Sequence, residues 1–268
     1  MAYNNKIKSI AIGSFDGLHI AHQTLIEQAD ALVIIERNGG YLTPGYKRSL
    51  YTPKVCCFYH FDKIKVLSPQ EFVTKLKEDF PHLEKIVVGY DFTFGKAKAG
   101  DAKHLDVLFE GEVSIVREVS FEGVSVHSRT IRHYLTEGNV AMANSLLGRK
   151  YTIDGKVIKG QGLGKKELVP TLNLDVNEYQ LPLEGVYATR TKVNNRWLPS
   201  VSFLGHRVTT DGSFAVETHI LDEDIGVVYG QVWLEFVALI RENKKFDGLD
   251  ALREQIADDI AKAKDILG

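Results

Sequence analysis

From Ile7 to Ile12 a short apolar run leads into Gly13, and after a polar loop apolar residues recur at helical spacing from near Ala21 through Leu25, Ile26 and Ala29. The pattern predicts strand, loop, helix. Ala31 to Ile35 reads as a buried strand. Ser68-Pro69-Gln70-Glu71 then announces a helix, because it combines a capping box with proline at the first helical position. Phe72, Val73 and Leu76 give that helix an apolar face. Ile86 to Val88, ending at Gly89, and Val113 to Val116 add two further short buried strands. Strands alternating with helices predict a parallel α/β sheet.

Two helical pieces follow, Ile131 to Leu135 and Val140 to Leu147, the second stopped by Gly148. Beyond Tyr151 the texture changes to short β-rich segments separated by turn residues: Val186 to Val193, Leu198 to Phe203, Phe214 to Leu221 and Val227 to Val237. Asn194-Asn195 is the expected tip of a hairpin. This half reads as an antiparallel barrel or sandwich. The last segment returns to helical period, with Leu249, Leu252, Ile256, Ile260 and Ala263 on one stripe and Asp258, Asp259, Lys262 and Lys264 off it.

The 268 residues favour two domains over one, and 44% hydrophobic with 25% charged residues describes a protein that buries an ordinary core. With 33 basic against 35 acidic residues the net charge is -2, which supplies no general attraction for nucleic acid or an anionic membrane, so small-molecule partners are expected. Cys56 and Cys57 are adjacent, a spacing at which a disulfide is strained, so they read as buried thiols in a reducing compartment. No stretch approaches about 18 consecutive apolar residues, and the cytosol is the expected location.

Candidate chemistry begins at Gly13-Ser14-Phe15-Asp16-Gly17-Leu18-His19-Ile20-Ala21-His22. Backbone amides between a buried strand and a helix start favour a phosphate, and His19 and His22, three residues apart, share one helical face. Donors of this kind are what nucleotidyl transfer needs: they stabilise charge on the attacked phosphate and the leaving pyrophosphate without a covalent nucleophile. A tight turn with solvated or capping histidines fits the same pattern.

The whole string resembles the G-x-F-D-G-x-H-x-G-H signature of the nucleotidyl transferase superfamily, in the form carried by the bacterial bifunctional riboflavin kinases and FAD synthetases. Alanine stands at position 21 where the signature usually has glycine. Gly89-Tyr90-Asp91-Phe92-Thr93-Phe94-Gly95 resembles the same family's G-x-D/N-F-x-F-G motif, which implies that Asp91 helps hold the flavin phosphate and nucleotide. Val126-His127-Ser128-Arg129-Thr130-Ile131-Arg132 resembles its S-S-T-x-x-R segment, which implies that Ser128 and Arg132 bind the leaving phosphates. After Ile35 the family usually shows proline-histidine-proline; this chain has Glu36-Arg37-Asn38-Gly39-Gly40.

In the second half, Gly155-Lys156-Val157-Ile158-Lys159-Gly160-Gln161-Gly162-Leu163-Gly164 is a glycine-rich stretch able to bring amides close to phosphate, or to make ordinary β-turns. Val169-Pro170-Thr171-Leu172-Asn173 beyond it resembles the P-T-A-N motif of riboflavin kinases, and Leu168 stands where that family has glycine. Phe214 to Asp222 resembles the kinase E-x-H-L-L-D strand, and Leu239 to Phe246 its F-L-R-x-E-x-K-F end. By pattern alone Glu217 is a solvent-face residue of a strand. The resemblance implies that Thr171 and Asn173 hold Mg-ATP, that Gly155, Gly160 and Gly164 border the ATP, that Glu217 takes the proton of the riboflavin hydroxyl, and that Arg241 lies by the flavin.

It implies two domains as well: an α/β nucleotidyl transferase domain with a Rossmann-like parallel sheet over 1–148, and a riboflavin kinase domain over 149–268, an antiparallel β-barrel with a C-terminal helix. In the first, Gly13, Phe15, Asp16 and Gly17 border the triphosphate with His19 and His22. The implied activity is bifunctional, riboflavin to FMN and FMN to FAD, with ATP, riboflavin, FMN and FAD as substrates and products and Mg2+ accompanying ATP. A nucleotidyl transferase for another phosphate acceptor, or a flavin-binding module with an inactive kinase half, stands as the alternative.

Overall fold

Strand β1 (Ser9–Gly13) sits at the centre of a sheet with both faces covered, and its sequence is apolar at successive positions for that reason. In this computed structural model, which describes residues 6–36, 41–159, 169–209 and 211–268, two compact units are resolved, 1–128 and 129–268. The first unit continues with α1 (Ile20–Ile26), β2 (Ala31–Glu36), a 3-10 turn (Gly45–Tyr51), β3 (Val55–His60), α2 (Phe61–Ile64), α3 (Pro69–Asp79) and β4 (Lys85–Gly89). The hairpin strands β5 (Thr93–Phe94) and β6 (Gly100–Asp101), helix α4 (Ala102–Leu108), β7 (Glu112–Val116), and a second small hairpin of β8 (Ser120–Phe121) and β9 (Val124–Ser125) complete it.

The main sheet has the order β3-β2-β1-β4-β7, with every pair parallel. Alternate residues feed two cores. Ile10, Ile12, Ala31 and Val33 pack with Phe72, Val73, Leu76 and Leu105 on the α3 and α4 side, while Ala11, Leu32 and Ile34 pack with Phe15, Leu18, Leu25 and Ile26 on the α1 side. The capping box expected at Ser68 is formed: the Ser68 hydroxyl accepts from the Glu71 N–H and the Glu71 carboxylate accepts from the Ser68 N–H. Strand β3, which pattern reading passes over, is an edge strand carrying both free cysteines; Cys57 is buried and Cys56 half-buried. Burial pushes the Cys57 thiol up to about 11, where it is a poor nucleophile.

The second unit holds α5 (Ser128–Thr136, its first residue counted with the first unit), α6 (Val140–Leu147), then β10 (Tyr151–Ile158), β11 (Leu172–Asp175), β12 (Gly185–Val193), β13 (Arg196–His206), β14 (Phe214–Ile220), β15 (Gln231–Glu242) and α7 (Leu249–Leu267). Six strands close into an antiparallel barrel in the order β10-β11-β14-β13-β12-β15, so the barrel choice is realised over the sandwich and no edge is left open. Asn194 and Asn195 both have φ in the left-handed region, as the tip of a tight hairpin between β12 and β13 requires. Buried Asn144 of α6 ties that helix to the barrel: its amide donates to Phe236 O and accepts from Tyr151 N–H. Sequence pattern placed a boundary at 148; the division into compact units falls at 128, with both α6 and the barrel in the second unit.

Helix α7 packs Ile260, Ala263 and Leu267 against Val186, Ala188, Val201 and Ile240. Asp259 departs from its expected place on the polar face: it is buried and takes the Arg241 guanidinium through both carboxylate oxygens, Nε at 3.0 Å to each and Nη2 at 2.9 Å to Oδ2. Segment 227–230 is also not strand as expected; Val227 and Tyr229 are exposed and β15 begins at Gln231.

Candidate functional site

The order β3-β2-β1-β4-β7 reverses direction between β1 and β4, and ligands of open α/β sheets bind in the crevice beyond the carboxyl ends of strands at such a point. Gly13 ends β1 there and Gly89 ends β4. The loop after β1 is tightly wound, with Phe15, Gly17 and Leu18 all at positive φ. Two of these are not glycine, a conformation that costs of order 1–3 kcal/mol each and persists only where the surroundings enforce it. Enforcement is visible: Phe15 and Leu18 are fully buried in the α1-side core, and the Asp16 carboxylate accepts the backbone N–H of Leu42 at 3.2 Å and of Thr43 at 3.0 Å. Asp16, expected at the phosphate, thus also holds the loop itself. The Ser128 hydroxyl donates to Asp16 O at 2.7 Å, which draws a third segment to the same loop.

His19 caps α1, its Nδ1 accepting the His22 N–H at 3.3 Å. A neutral ring bonded in this way carries its proton on Nε2, which is therefore a donor. The His22 ring stacks on His19 at 3.5 Å between centroids with Phe15 beside it at 5.2 Å, so the two imidazoles do share one face. Because α1 spans only seven residues, its summed dipole is short.

Across the crevice Asp91 is exposed, in a turn anchored by Phe92, whose ring stacks on Phe94 at 5.6 Å, and by Phe94, which meets Phe72 at 5.4 Å. Beside it lies a cluster that sequence reading missed. The Tyr90 hydroxyl is 3.2 Å from Glu118 Oε1 and 3.3 Å from His127 Nε2, and the Ser125 hydroxyl also donates to Glu118. These bonds, with the Ser125 contribution the largest, hold the Glu118 carboxyl below its ordinary range. Arg132 lies one turn beyond Ser128 on α5, in the second unit.

The barrel brings together residues far apart in sequence. Asn173 on β11 and Glu217 on β14 are direct cross-strand partners, so their side chains emerge side by side. They line a cavity with Thr171, Arg207, Arg241 and Phe246. Arg241 Cζ lies 5.3 Å from the Phe246 ring centroid, and its guanidinium is held from behind by Asp259. Gly155, expected to border the ATP, sits inside β10 opposite Val232, where a Cβ would come within 2.8 Å of Val176 Cγ2, so strand packing also requires a glycine there. Gly160, Gly164 and Leu168, like Arg37 to Gly40, lie outside the described residues.

Arg207 was not singled out from sequence, yet it bonds both Asn173 and Glu217 at the cavity. Its Nε donates to Glu217 Oε1 at 2.8 Å, its Nη2 donates to the same oxygen, and Nη2 also donates to Asn173 Oδ1 at 2.8 Å. The only sequence signal was an arginine and a glutamate ten residues apart around a hairpin.

A family model described as riboflavin kinase matches residues 147–267, and one described as FAD synthetase matches residues 51–130. A Listeria monocytogenes protein named bifunctional riboflavin kinase/FMN adenylyltransferase is 31% identical, the match covering 94% of this chain and 90% of that one. The protein of the same name from Pseudomonas fluorescens is 29% identical over 94% and 91% of the two chains. A crystal structure described as a macrolide-efflux protein from Streptococcus pneumoniae shares the architecture, with a TM-score of 0.85, 26% identity, and 97% and 95% of the two chains covered. Among the described residues of this chain no helix is long and apolar enough to cross a membrane.

Proposed function

The chain belongs to the bifunctional riboflavin kinase/FMN adenylyltransferase family, and from that premise we propose how its residues divide the two reactions. The barrel unit phosphorylates riboflavin with ATP to give FMN, and the parallel-sheet unit joins FMN to the adenylyl group of a second ATP to give FAD and pyrophosphate. We place the functional division between residues 148 and 149 and the enzyme in the cytosol, in keeping with its two free cysteines.

The observation that carries the kinase reading is the cross-strand pairing of Asn173 with Glu217 in the lining of the cavity. Glu217 accepts the proton as the riboflavin hydroxyl oxygen attacks the γ-phosphorus and the bond to the ADP oxygen breaks. Arg207 bonds Oε1, which leaves Oε2 to accept that proton. Thr171 and Asn173 fit a magnesium ion that arrives with ATP, since a hydroxyl and an amide are hard oxygen donors and magnesium fills its shell with phosphates and water. When bound, that ion supplies charge neutralisation at the phosphates. The stretch from Gly155 through Gly160 to Gly164 borders the ATP, and Arg241 over Phe246 forms the flavin side of the cavity.

In the parallel-sheet unit, His19 and His22 donate to the phosphates while an FMN phosphate oxygen attacks the α-phosphorus and pyrophosphate leaves. Gly13, Phe15 and Gly17 shape the loop that receives ATP, Asp16 holds that loop, Ser128 and Arg132 bind leaving phosphates by their motif, and Asp91 holds the acceptor side. Incubation with riboflavin, ATP and magnesium, followed by chromatography, is expected to show FMN first and FAD later. If no FMN appears, the kinase assignment is wrong; if FMN accumulates and never becomes FAD, even when FMN is supplied directly, the adenylyl acceptor is another phosphate ester.

A further inference from the structure

Arg207 enters the kinase site as a fixed part of the fold. It follows Gly205, which has φ +141 and passes so close to Glu184 that a Cβ would lie 2.6 Å from Glu184 Oε2. The same carboxylate accepts the His206 N–H at 2.9 Å and meets the His206 ring at 2.8 Å, and Asn243 donates to His206 O at 2.8 Å. The segment bearing Arg207 is therefore clamped on both sides. At the far end Arg207 Nη1 donates to Ser213 Oγ at 2.8 Å, so the guanidinium has few ways to turn.

Its Nε and Nη2 donate to the two groups given chemical roles above. With side-chain exposures of 17% for Arg207 and 23% for Glu217, the pair is shielded enough for its charge to matter strongly. A guanidinium on Asn173 Oδ1 puts a positive charge on the same oxygen that is assigned to the metal of Mg-ATP. The two cations compete for one acceptor.

We propose that Arg207 is a positioning residue of the kinase site that holds the place of the divalent cation: Nη2 occupies Asn173 Oδ1 until metal-nucleotide claims it, while Nε keeps the Glu217 carboxylate aimed. One side chain thus opposes metal binding and supports proton transfer, and its removal has effects of opposite sign on the two. A group needed only for folding would weaken both. The inference rests on the assignment of Asn173 and Glu217 to the kinase site.

The test uses the full chain, with Mn2+ alone as probe, free Mn2+ being read by electron paramagnetic resonance, alongside kinetics of FMN formation. For Arg207→Ala, Mn2+ is expected to bind roughly 10-fold tighter, because a charge beside the donor oxygen is gone, while kcat for FMN formation falls about 10-fold as the base loses its holder. Arg207→Lys should bind Mn2+ like the parent. Arg207→Gln, which keeps more of the side chain than alanine and a donor but no charge, serves if the alanine variant does not fold, and should also bind Mn2+ more tightly. Adding Asn173→Ala should erase the gain, isolating it from metal binding elsewhere in the chain. Unchanged or weaker Mn2+ binding in folded Arg207→Ala or Arg207→Gln overturns the proposal and leaves the kinase assignment standing. If Asn173→Ala and Glu217→Gln both leave FMN formation intact, the assignment itself is wrong and this proposal goes with it.

Discussion

In the parallel-sheet unit the imidazoles and loop amides at the crevice lie within ten residues, Gly13 to His22, and the loop that carries them is strained and braced by Asp16. In the barrel unit Asn173, Glu217 and Arg241 come from β11, β14 and β15, and Arg207 from just beyond β13. The first arrangement relies on backbone conformation, and in the function proposed above its donors serve an incoming polyphosphate. The second holds its charges in pairs: Arg207 with Glu217, Arg241 with Asp259. A local site needs only its own loop to be correct, whereas a distributed site needs the barrel to close before any two of its groups meet. The energetic consequence is that single substitutions act differently in the two places, by loss of a donor in the sheet unit and by release of a partner charge in the barrel.

The sharpest way to separate the two sites is Glu217→Gln. It removes the proposed proton acceptor and is expected to lower FMN formation by about 100-fold or more, while conversion of supplied FMN to FAD is unchanged. Measured on one preparation, the two rates report the two units independently. Equal losses would mean that the reactions share a site, and the comparison drawn above would collapse.

His22→Ala is the mirror experiment with a smaller effect, because the His19 ring and the loop amides remain. FAD formation from supplied FMN is expected to fall by roughly 10-fold or more, with FMN formation unaffected. A loss below twofold would show that the stacked imidazoles are a structural cap on α1 and that the phosphate donors are the loop amides.

How much of this was legible in the sequence follows the same division. Strands β1 and β2 could be read because both faces are buried and each carries an unbroken apolar run, Ile10 to Ile12 and Ala31 to Ile35; β3 could not, because an edge strand written Val-Cys-Cys-Phe-Tyr-His has neither an aliphatic run nor a clean alternation. His19 and His22 were readable as a pair because three residues on a helix put them on one face. Thr171, Asn173, Glu217 and Arg241 were readable only as motifs. Arg207 and Asp259 were not readable: Arg207 meets Asn173 across 34 positions and Asp259 meets Arg241 across 18, contacts that exist once the barrel and α7 are in place. Asp259 looked like one more polar residue of an amphipathic helix because periodicity counts apolar positions and cannot see that a neighbouring strand offers a guanidinium. Gly155 shows a further limit of pattern reading, since a glycine required by strand packing looks the same in sequence as one required by a phosphate.

The smallest expected effect probes the clamp that delivers Arg207 to its site. Glu184 accepts the His206 N–H and ring and the Asn243 amide. The His206 backbone bond is the largest cause of its lowered pKa, with burial opposing it and the His206 and Asn243 side chains adding to it. A carboxyl whose folded pKa lies below its unfolded value stabilises the fold above the unfolded value, near 4.5, and loses that contribution as pH falls through the folded one. Glu184→Gln should therefore lower barrel-unit stability at pH 7 by under about 1 kcal/mol, since the pair is partly exposed and solvent screens it, and the gap from the parent should shrink as pH drops below 4.5. Urea unfolding of both proteins at pH 7 and pH 3.5 reads this directly. A gap that stays constant with pH would mean that Glu184 acts by shape alone, through its contact with Gly205; a gap that closes in acid would make the clamp on Arg207 electrostatic, in keeping with a barrel site organised by paired charge rather than by loop geometry.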